Sequence, residues 1–395
     1  MILADSCAGM ANLWYAGSSR MKVAMIGHKR IPSREGGVER VVEELAVRMA
    51  EKGHKVCAYN RKGHHVSGKE NDGGKQKAYK GVRIITVPTV EKKSLNAVVY
   101  SFLATIHALF GHYDVIHFHA EGPCAFLWLP RLFRIKVVAT IHGLDWQRAK
   151  WGGFATRFLK HGEKTAAKYA NAIIVLSREM QRYFKQTYNR ETVYIPNGVD
   201  KADRQKSKII KEKYGLLGDD YLLFLARIVP EKGLHYLIEA YQKSGCAKKL
   251  VIAGGSSHSE GYFEEIRKAC EGNPNIIFTG FVQGRELEEL YSNCYLYILP
   301  SDIEGMPISL LEAMSYGAQC LVSGIAENTG VAGEYAAVFE KSNVDDLTKK
   351  LRSLTAEDFC FAHTKQEIAE YITEKYQWDE IVEETLKLYE NINGK

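Results

Sequence analysis

Tyr295-Leu-Tyr-Ile-Leu-Pro-Ser-Asp-Ile-Glu304-Gly305-Met306-Pro307-Ile308-Ser-Leu-Leu-Glu312-Ala-Met-Ser-Tyr-Gly317 is the stretch that decides the fold. Tyr295 to Leu299 is an apolar run suited to a strand buried on both faces, as in a parallel sheet. Pro300 ends the run and a polar turn follows. Gly305, Met306 and Pro307 then open a helix, with Pro307 in the first turn, where its missing N–H costs no hydrogen bond. Ile308, Leu311, Ala313 and Met314 give the helix an apolar stripe, and Gly317 suits its C-terminal cap. A strand, a tight turn and a helix start make an anion site, because free N–H groups and the positive dipole end point past the strand. Two carboxylates, Glu304 and Glu312, flank it. They have a use there if they read a neutral part of the same ligand, such as sugar hydroxyls. The plainer reading makes Glu304 a helix cap and Glu312 a solvated surface group.

Outward from this stretch, strands and helices alternate. Lys22 to Gly27 is a strand leading to a loop with Gly36-Gly37 and a helix ending near Lys52. Strands follow at Lys55–Tyr59, Val82–Val87, Asp114–His119, Lys136–Ile141 and Ala172–Ser177, with a helix from Leu95 to Phe110 and a polar, glycine-rich loop from Arg61 to Lys80. Ile195-Pro-Asn-Gly-Val199 has turn chemistry, and a charged helical segment, Lys201 to Lys213, follows it. The alternation then restarts from Tyr221 and ends in an amphipathic helix from Trp378. This pattern predicts two α/β units, each a doubly wound parallel sheet with helices on both faces. The expected division is a loose tail over 1–20, one domain over 21–199, a second over 200–376, and a terminal helix over 377–395 that returns to the first. Ligands on such sheets sit at the carboxyl ends of strands, which singles out Gly36-Gly37, His117, His119 and His142.

The 395 residues fit two domains of ordinary size. Charge is unevenly divided: residues 21–200 carry 30 Lys+Arg against 15 Asp+Glu, while residues 201–395 carry 22 against 31. A basic first half beside an acidic second half suggests an anionic partner for the first, such as a membrane surface, a phosphorylated lipid or nucleic acid. The plain alternative is a soluble basic surface. The eight cysteines show no C-x-x-C or zinc spacing, as in a chain from a reducing compartment. No apolar run reaches the ~20 residues that span a bilayer, and residues 1–20 do not read as a signal peptide.

Two further places carry chemistry. Arg227-Ile-Val-Pro-Glu-Lys232-Gly233 lies between a strand and a helix. Both cations can reach a diphosphate, Arg227 as a planar fork and Lys232 as a point charge; the bland reading is two solvated cations on a loop. His142, in Thr140-Ile-His-Gly-Leu-Asp-Trp146, stands at a strand end, where a ligand-facing role competes with a structural one. Gly36-Gly37 permits close backbone approach but is not G-x-G-x-x-G, so a nicotinamide fingerprint is absent there. No D-x-D metal motif occurs.

As a set, Glu304-x7-Glu312, Arg227…Lys232, Gly36-Gly37, His142 and Ile195-Pro-Asn-Gly-Val199 resemble the retaining glycosyltransferases of family 4, and the resemblance covers residues 21 to about 390. Tyr79-Lys-Gly-Val-Arg83, Lys93-Ser-Leu95 and Gly143-Leu-Asp-Trp146 with Arg148-Ala-Lys-Trp151 resemble a subgroup used for bacterial surface polysaccharides. Gly324 to Val331 and Gln319 depart from the family pattern, which often has a Gly-Gly-x-Pro-like turn and a proline there. The resemblance implies the GT-B fold: two Rossmann-like domains facing each other across a cleft, with the nucleotide-sugar donor mainly on the second. It implies that Arg227 and Lys232 hold the diphosphate, Glu304 the donor-sugar hydroxyls and Glu312 the ribose. Backbone from Gly305, Met306, Pro307 and Ile308 would meet the diphosphate or sugar, and Val282 would read the base. Gly36, Gly37 and His142 would close the site.

The expected activity is metal-independent hexosyl transfer with retained configuration, from a nucleotide diphosphate sugar to a saccharide or polyprenyl-diphosphate-linked acceptor. It needs no cofactor and no nucleic acid. The expected setting is cytoplasmic, at the inner face of the membrane, with peripheral contact to anionic lipid. The competing readings are a sugar-nucleotide epimerase of the same fold, which needs no acceptor, and a non-catalytic sugar-nucleotide binding module. An NAD-dependent oxidoreductase is disfavoured by the missing glycine fingerprint.

Overall fold

The computed structural model describes residues 20–33, 36–62, 76–90, 93–147, 153–256 and 259–394. The expected tail (but for Arg20), most of the glycine-rich loop after Arg61, and the Arg148–Trp151 motif lie outside the described residues.

The first half contributes strands β1 (Lys22–Ile26), β2 (Lys55–Arg61), β3 (Ala78–Tyr79), β4 (Val82–Val87), β5 (Val115–His119), β6 (Lys136–Ile141), β7 (Ala172–Val175) and β8 (Val193–Tyr194). They form one sheet in the order β3-β4-β2-β1-β5-β6-β7-β8, parallel except for the β3–β4 pair. The second half contributes β9 (Tyr221–Leu225), β10 (Lys249–Ala253), β11 (Ile276–Gly280), β12 (Leu296–Leu299), β13 (Cys320–Ser323) and β14 (Ala337–Phe339). These form an all-parallel sheet in the order β11-β10-β9-β12-β13-β14. Apolar clusters lie on both faces of each sheet. This is the doubly wound α/β architecture expected from the alternation, two Rossmann-like sheets in tandem.

The strand order locates the site. Chain order reverses between β1 and β5 in the first sheet and between β9 and β12 in the second. A crevice opens at the carboxyl ends of the strands at such a switch point. Gly36-Gly37 follows β1, Arg227 and Lys232 follow β9, and Glu304 to Ile308 follow β12.

The opening stretch folds nearly as read. Leu296–Leu299 is fully buried, each leucine or isoleucine contributing roughly 1.5–3 kcal/mol. The helix runs Ile308–Ser315; Gly305, Met306 and Pro307, expected to open it, precede it, because Pro307 is extended (ψ 103°) and stands just outside it. Gly317 takes the left-handed conformation beyond the last turn. The charged segment Lys201–Lys213 is helical only over Ile209–Tyr214. Its upstream residues lack apolar positions to bury and are held by Arg204 and Gln205 against Ser292. A helix not anticipated, Lys365–Lys375, packs Ile368 and Ile372 into the same cluster as Leu310 and Met314. Its start was readable, since Thr364 and Glu367 form a capping box.

The chain crosses between the halves twice, side by side. Val199 N donates to Tyr376 O (2.8 Å). Beyond that point the helix Trp378–Asn393 buries Trp378, Ile381, Val382, Leu386 and Tyr389 in a cluster of the first half. Arg48 fastens the crossing, 2.5 Å from Asp200 and 2.8 Å from Asp379.

Candidate active site at the facing switch points

Lys232 ends a single 3₁₀ turn, Pro230–Lys232, just past β9. Gly233 follows in the left-handed conformation (φ +68°), and a Cβ there would lie 2.1 Å from Pro300 O. Only glycine meets both conditions, so the loop after β9 packs directly on the loop after β12. Asp302 N donates to Glu231 O (2.9 Å) and Tyr236 OH to Asp302 Oδ2 (3.1 Å), holding the two loops together. The result brings Lys232 Nζ to 2.5 Å from Glu304 Oε1, with both side chains mostly buried. Glu304 therefore does not cap the helix; it pairs with the cation assigned to the diphosphate. Arg227 lies two residues past β9, half-buried. Glu312 Oε2 accepts from Tyr291 OH at 3.4 Å, inside the second half. Val282 is nearly buried just beyond β11, in the apolar cluster that also holds Leu311.

The segment Gly305–Ile308 is met from the first half at three points. A Cβ on Gly305 would lie 1.6 Å from His142 O and 3.2 Å from Gly143 Cα, so the backbones abut. Met306 O accepts from Asn197 Nδ2 (3.3 Å), and Asn197 N points at Met306 Sδ (3.0 Å). Gly37 opens the helix Gly37–Glu51, and a Cβ on it would stand 3.4 Å from Ile308 Cδ1. Two helix N-termini thus approach one another across the cleft, a favourable setting for an anion. Asn197 was part of the turn seen in the sequence, but its contact with Met306 depends on how the halves face and had no sequence signal.

His142 belongs to a row of histidines. Its Nε2 lies 3.1 Å from His119 Nδ1, and the rings stack at 5.4 Å. His117 lies 4.1 Å beyond His119, its Nδ1 on Tyr389 OH (2.6 Å) and its Nε2 on Thr140 Oγ1 (2.7 Å). Burial pushes the His117 pKa down to about 3, helped by His142. Burial and the neighbouring histidines hold His119 well below the usual imidazole range. Both are neutral. His119 Nε2 is buried and has no hydrogen-bond partner among the described residues. A proton there would be a buried donor left unpaired, which is costly. With its proton on Nδ1, His119 would donate to His142 Nε2 and leave no unpaired donor on its own Nε2. In that arrangement His142 would carry its own proton on Nδ1, as a hydrogen-bond donor.

Glu121, two residues past β5, was not singled out in the sequence. It is fully buried. Burial, Asp145 and Glu163 push its carboxyl up to about 11, so it is protonated at neutral pH. Among the described residues no group of three or more His, Cys, Asp or Glu is placed to hold a metal ion.

The sequence profile "Glycosyltransferase Family 4" matches residues 35–203, and "Glycosyl transferases group 1" matches residues 206–375. An uncharacterised glycosyltransferase of Methanocaldococcus jannaschii is 26% identical over 398 residues, 93% of this chain and 98% of that protein. The serotype-specific mannosyltransferase WbdA of Escherichia coli is 33% identical over 165 residues, 40% of this chain and 20% of that protein. Among solved structures, Anabaena HepE in complex with UDP-glucose superposes with a TM-score of 0.75 at 15% identity, covering 93% of this chain and 100% of that one.

Proposed function

The chain belongs to the family 4 glycosyltransferases of GT-B fold, and we propose that it moves a sugar from a nucleotide diphosphate sugar to a lipid-linked saccharide with retention of configuration. The observation that carries this is the Lys232–Glu304 pair, set at the switch point beside the N-terminus of Ile308–Ser315. Lys232 and Glu304 satisfy each other's charge. A donor diphosphate takes Lys232, with Arg227 and the helix N-terminus adding positive potential. Glu304 is then free to accept hydrogen bonds from the donor sugar, and Glu312 from the ribose. His142 donates from Nδ1 to a sugar or phosphate oxygen. Val282 lies on the side of the base. The UDP-glucose complex of a neighbour with the same fold supports such a donor, and mannosyltransferases among the relatives support a hexose.

In the transfer step the bond from the anomeric carbon to the β-phosphate oxygen breaks. The acceptor oxygen attacks the same face, and its proton passes to the leaving phosphate. Charge grows on the diphosphate as the bond breaks, so the fixed cations bind the transition state more tightly than the ground state. The cations stand in for a metal ion, and the reaction needs none. The acceptor is a saccharide on a polyprenyl diphosphate at the inner face of the cytoplasmic membrane, for surface polysaccharide, and the basic first half supports contact with that anionic surface. No helix among the described residues is long and apolar enough to cross a membrane. The test is the anomeric configuration of the product by NMR. A retained configuration is expected; an inverted one overturns the same-face mechanism.

A further inference from the structure

Asn197 stands at the midpoint of the first crossing between the halves. Ile195, two residues before it, is buried in a cluster of the first half, and Val199, two residues after it, in a cluster of the second. The backbone is tied on either side: Ile195 N donates to Val175 O (3.2 Å) and Val199 N to Tyr376 O (2.8 Å). Gly198 lies against the second crossing, where a Cβ would stand 2.5 Å from Trp378 Cδ2. Pro196, with its fixed φ, stiffens the chain just before. A residue held in this way has little freedom of its own, and what it touches is fixed to the crossing.

Asn197 touches the segment that precedes the helix Ile308–Ser315. It is 2% exposed. Its Nδ2 donates to Met306 O (3.3 Å), and its backbone N–H points at Met306 Sδ (3.0 Å). The first hydrogen bonds of the helix, from Leu310 and Leu311, end on Pro307 O. Met306 O therefore lies outside the helical ladder and is held by the crossing instead. One residue earlier, Gly305 abuts His142 O and Gly143 Cα. A shift of Met306 carries Gly305 with it and changes how closely the halves meet.

The remaining side-chain atom, Asn197 Oδ1, is buried and has no hydrogen-bond partner among the described residues. An unpaired buried carbonyl is costly, and an apolar residue of the same size would avoid it. Filling the space does not account for the amide. Its use lies in the Nδ2 donor and the carbonyl that this donor holds.

We propose that Asn197 is a positioning residue for the transfer. It fastens the Met306 carbonyl, and with it the backbone of Gly305–Ile308, to the crossing, so that the setting of the halves sets this segment. Asn197 acts through Met306 and touches no substrate itself. The inference rests on the reading that Gly305–Ile308 meets the donor diphosphate or sugar.

The experiment compares Asn197→Leu and Asn197→Asp with wild type in the full chain. Amide hydrogen exchange at Gly305, Met306 and Ile308 is measured beside donor turnover with a water-soluble acceptor. Leucine removes the unpaired Oδ1 and leaves Met306 O without its donor, one unpaired acceptor in place of another, so the thermal midpoint should stay close to wild type. Amide exchange in the segment should quicken about tenfold or more, and kcat should fall about tenfold or more. The aspartate variant gives a separate reading. A protonated carboxyl can donate to Met306 O, a carboxylate cannot, and burial raises the carboxyl pKa. Turnover of Asn197→Asp relative to wild type should therefore rise as pH is lowered from about 8 to about 6, while the leucine ratio stays flat. Taking the ratio to wild type removes the titration of the site's own groups. Wild-type turnover and wild-type exchange in Asn197→Leu, or parallel pH ratios in the two variants, overturn the inference and leave the transferase reading standing. Absence of wild-type turnover on any donor, with faster exchange in Asn197→Leu, overturns the transferase reading and leaves the fastening of the segment by Asn197 standing.

Discussion

Lys232 Nζ lies 2.5 Å from Glu304 Oε1, although 72 residues separate them in the chain. The contact exists because Gly233 lets the loop after β9 rest on the backbone of Pro300. It couples the two groups on which the proposed chemistry turns, since the carboxylate that reads the sugar also holds the cation that reads the phosphate.

Glu304→Gln removes the charge that competes for Lys232 and keeps a hydrogen-bonding side chain. Binding of the free nucleoside diphosphate should tighten, roughly tenfold for one charge-assisted hydrogen bond regained. Turnover should fall about 100-fold, because the amide holds sugar hydroxyls less well in the transition state. Calorimetry with the nucleoside diphosphate and steady-state rates with the sugar donor measure the two effects. Unchanged affinity and unchanged turnover would remove Glu304 from the site.

Gly305→Ala tests the closeness of the two halves. The added methyl would overlap His142 O, so the halves must separate or the loop must shift. Each sheet keeps its own core, and thermal stability should change little. Turnover should drop at least 100-fold, because displacements of about 1 Å at a reacting centre cost that much. Wild-type rates in the variant would show that this approach is not needed.

His119 acts through His142 and is a positioning residue. His119→Asn keeps an N–H donor near the place of Nδ1, and His119→Leu does not. The leucine variant should lose about tenfold in kcat/KM and show an altered pH–rate profile, with the asparagine variant partly restoring both. Equal loss in the two, with an unchanged pH profile, would mean that His119 serves packing alone.

Stability should fall in mild acid. Burial lowers His28 to about 4 and His117 to about 3, and lowers His119 too. A folded-state pKa below the unfolded value of 6.5 gives stability that is present above pH 6.5 and is lost as pH falls toward 4. The slope approaches ~1.4 kcal/mol per pH unit for each histidine. Urea midpoints that stay flat from pH 7 to pH 5 would contradict this. Glu121 works in the other direction: its pKa is raised from 4.5 to about 11, so its contribution is present below pH 4.5 and is lost as pH rises. Glu121→Gln should therefore stabilise the protein at pH 8, by about 1 kcal/mol or more.

Much of this arrangement could be read from local sequence. The strand at Tyr295–Leu299, the proline beside the helix start and the glycine past its end each act within a few residues, so their patterns are visible in the chain. The strand–helix alternation set the two doubly wound sheets, and strand ends pointed to Lys232, Glu304 and His142. What local pattern could not carry were contacts made by loop packing and by the facing of the halves. Glu304 looked like a reader of hydroxyls, and its partner is the cation read as a phosphate ligand. Asn197 looked like a turn residue and touches Met306. His119 looked like a second strand-end histidine and orients the first. Glu121 gave no signal, because its proton depends on burial beside Asp145 and Glu163, which come from other segments.

The most direct test of the central claim is nucleoside diphosphate release from a panel of UDP-, GDP- and dTDP-sugars, with and without a polyprenyl-diphosphate-linked saccharide, for wild type and Lys232→Ala. The account predicts that one donor releases its nucleotide, that release depends on the acceptor, and that Lys232→Ala lowers the rate at saturating donor at least 100-fold. Conversion of the donor sugar without acceptor, release from no donor in the panel, or near-normal turnover by Lys232→Ala would contradict it.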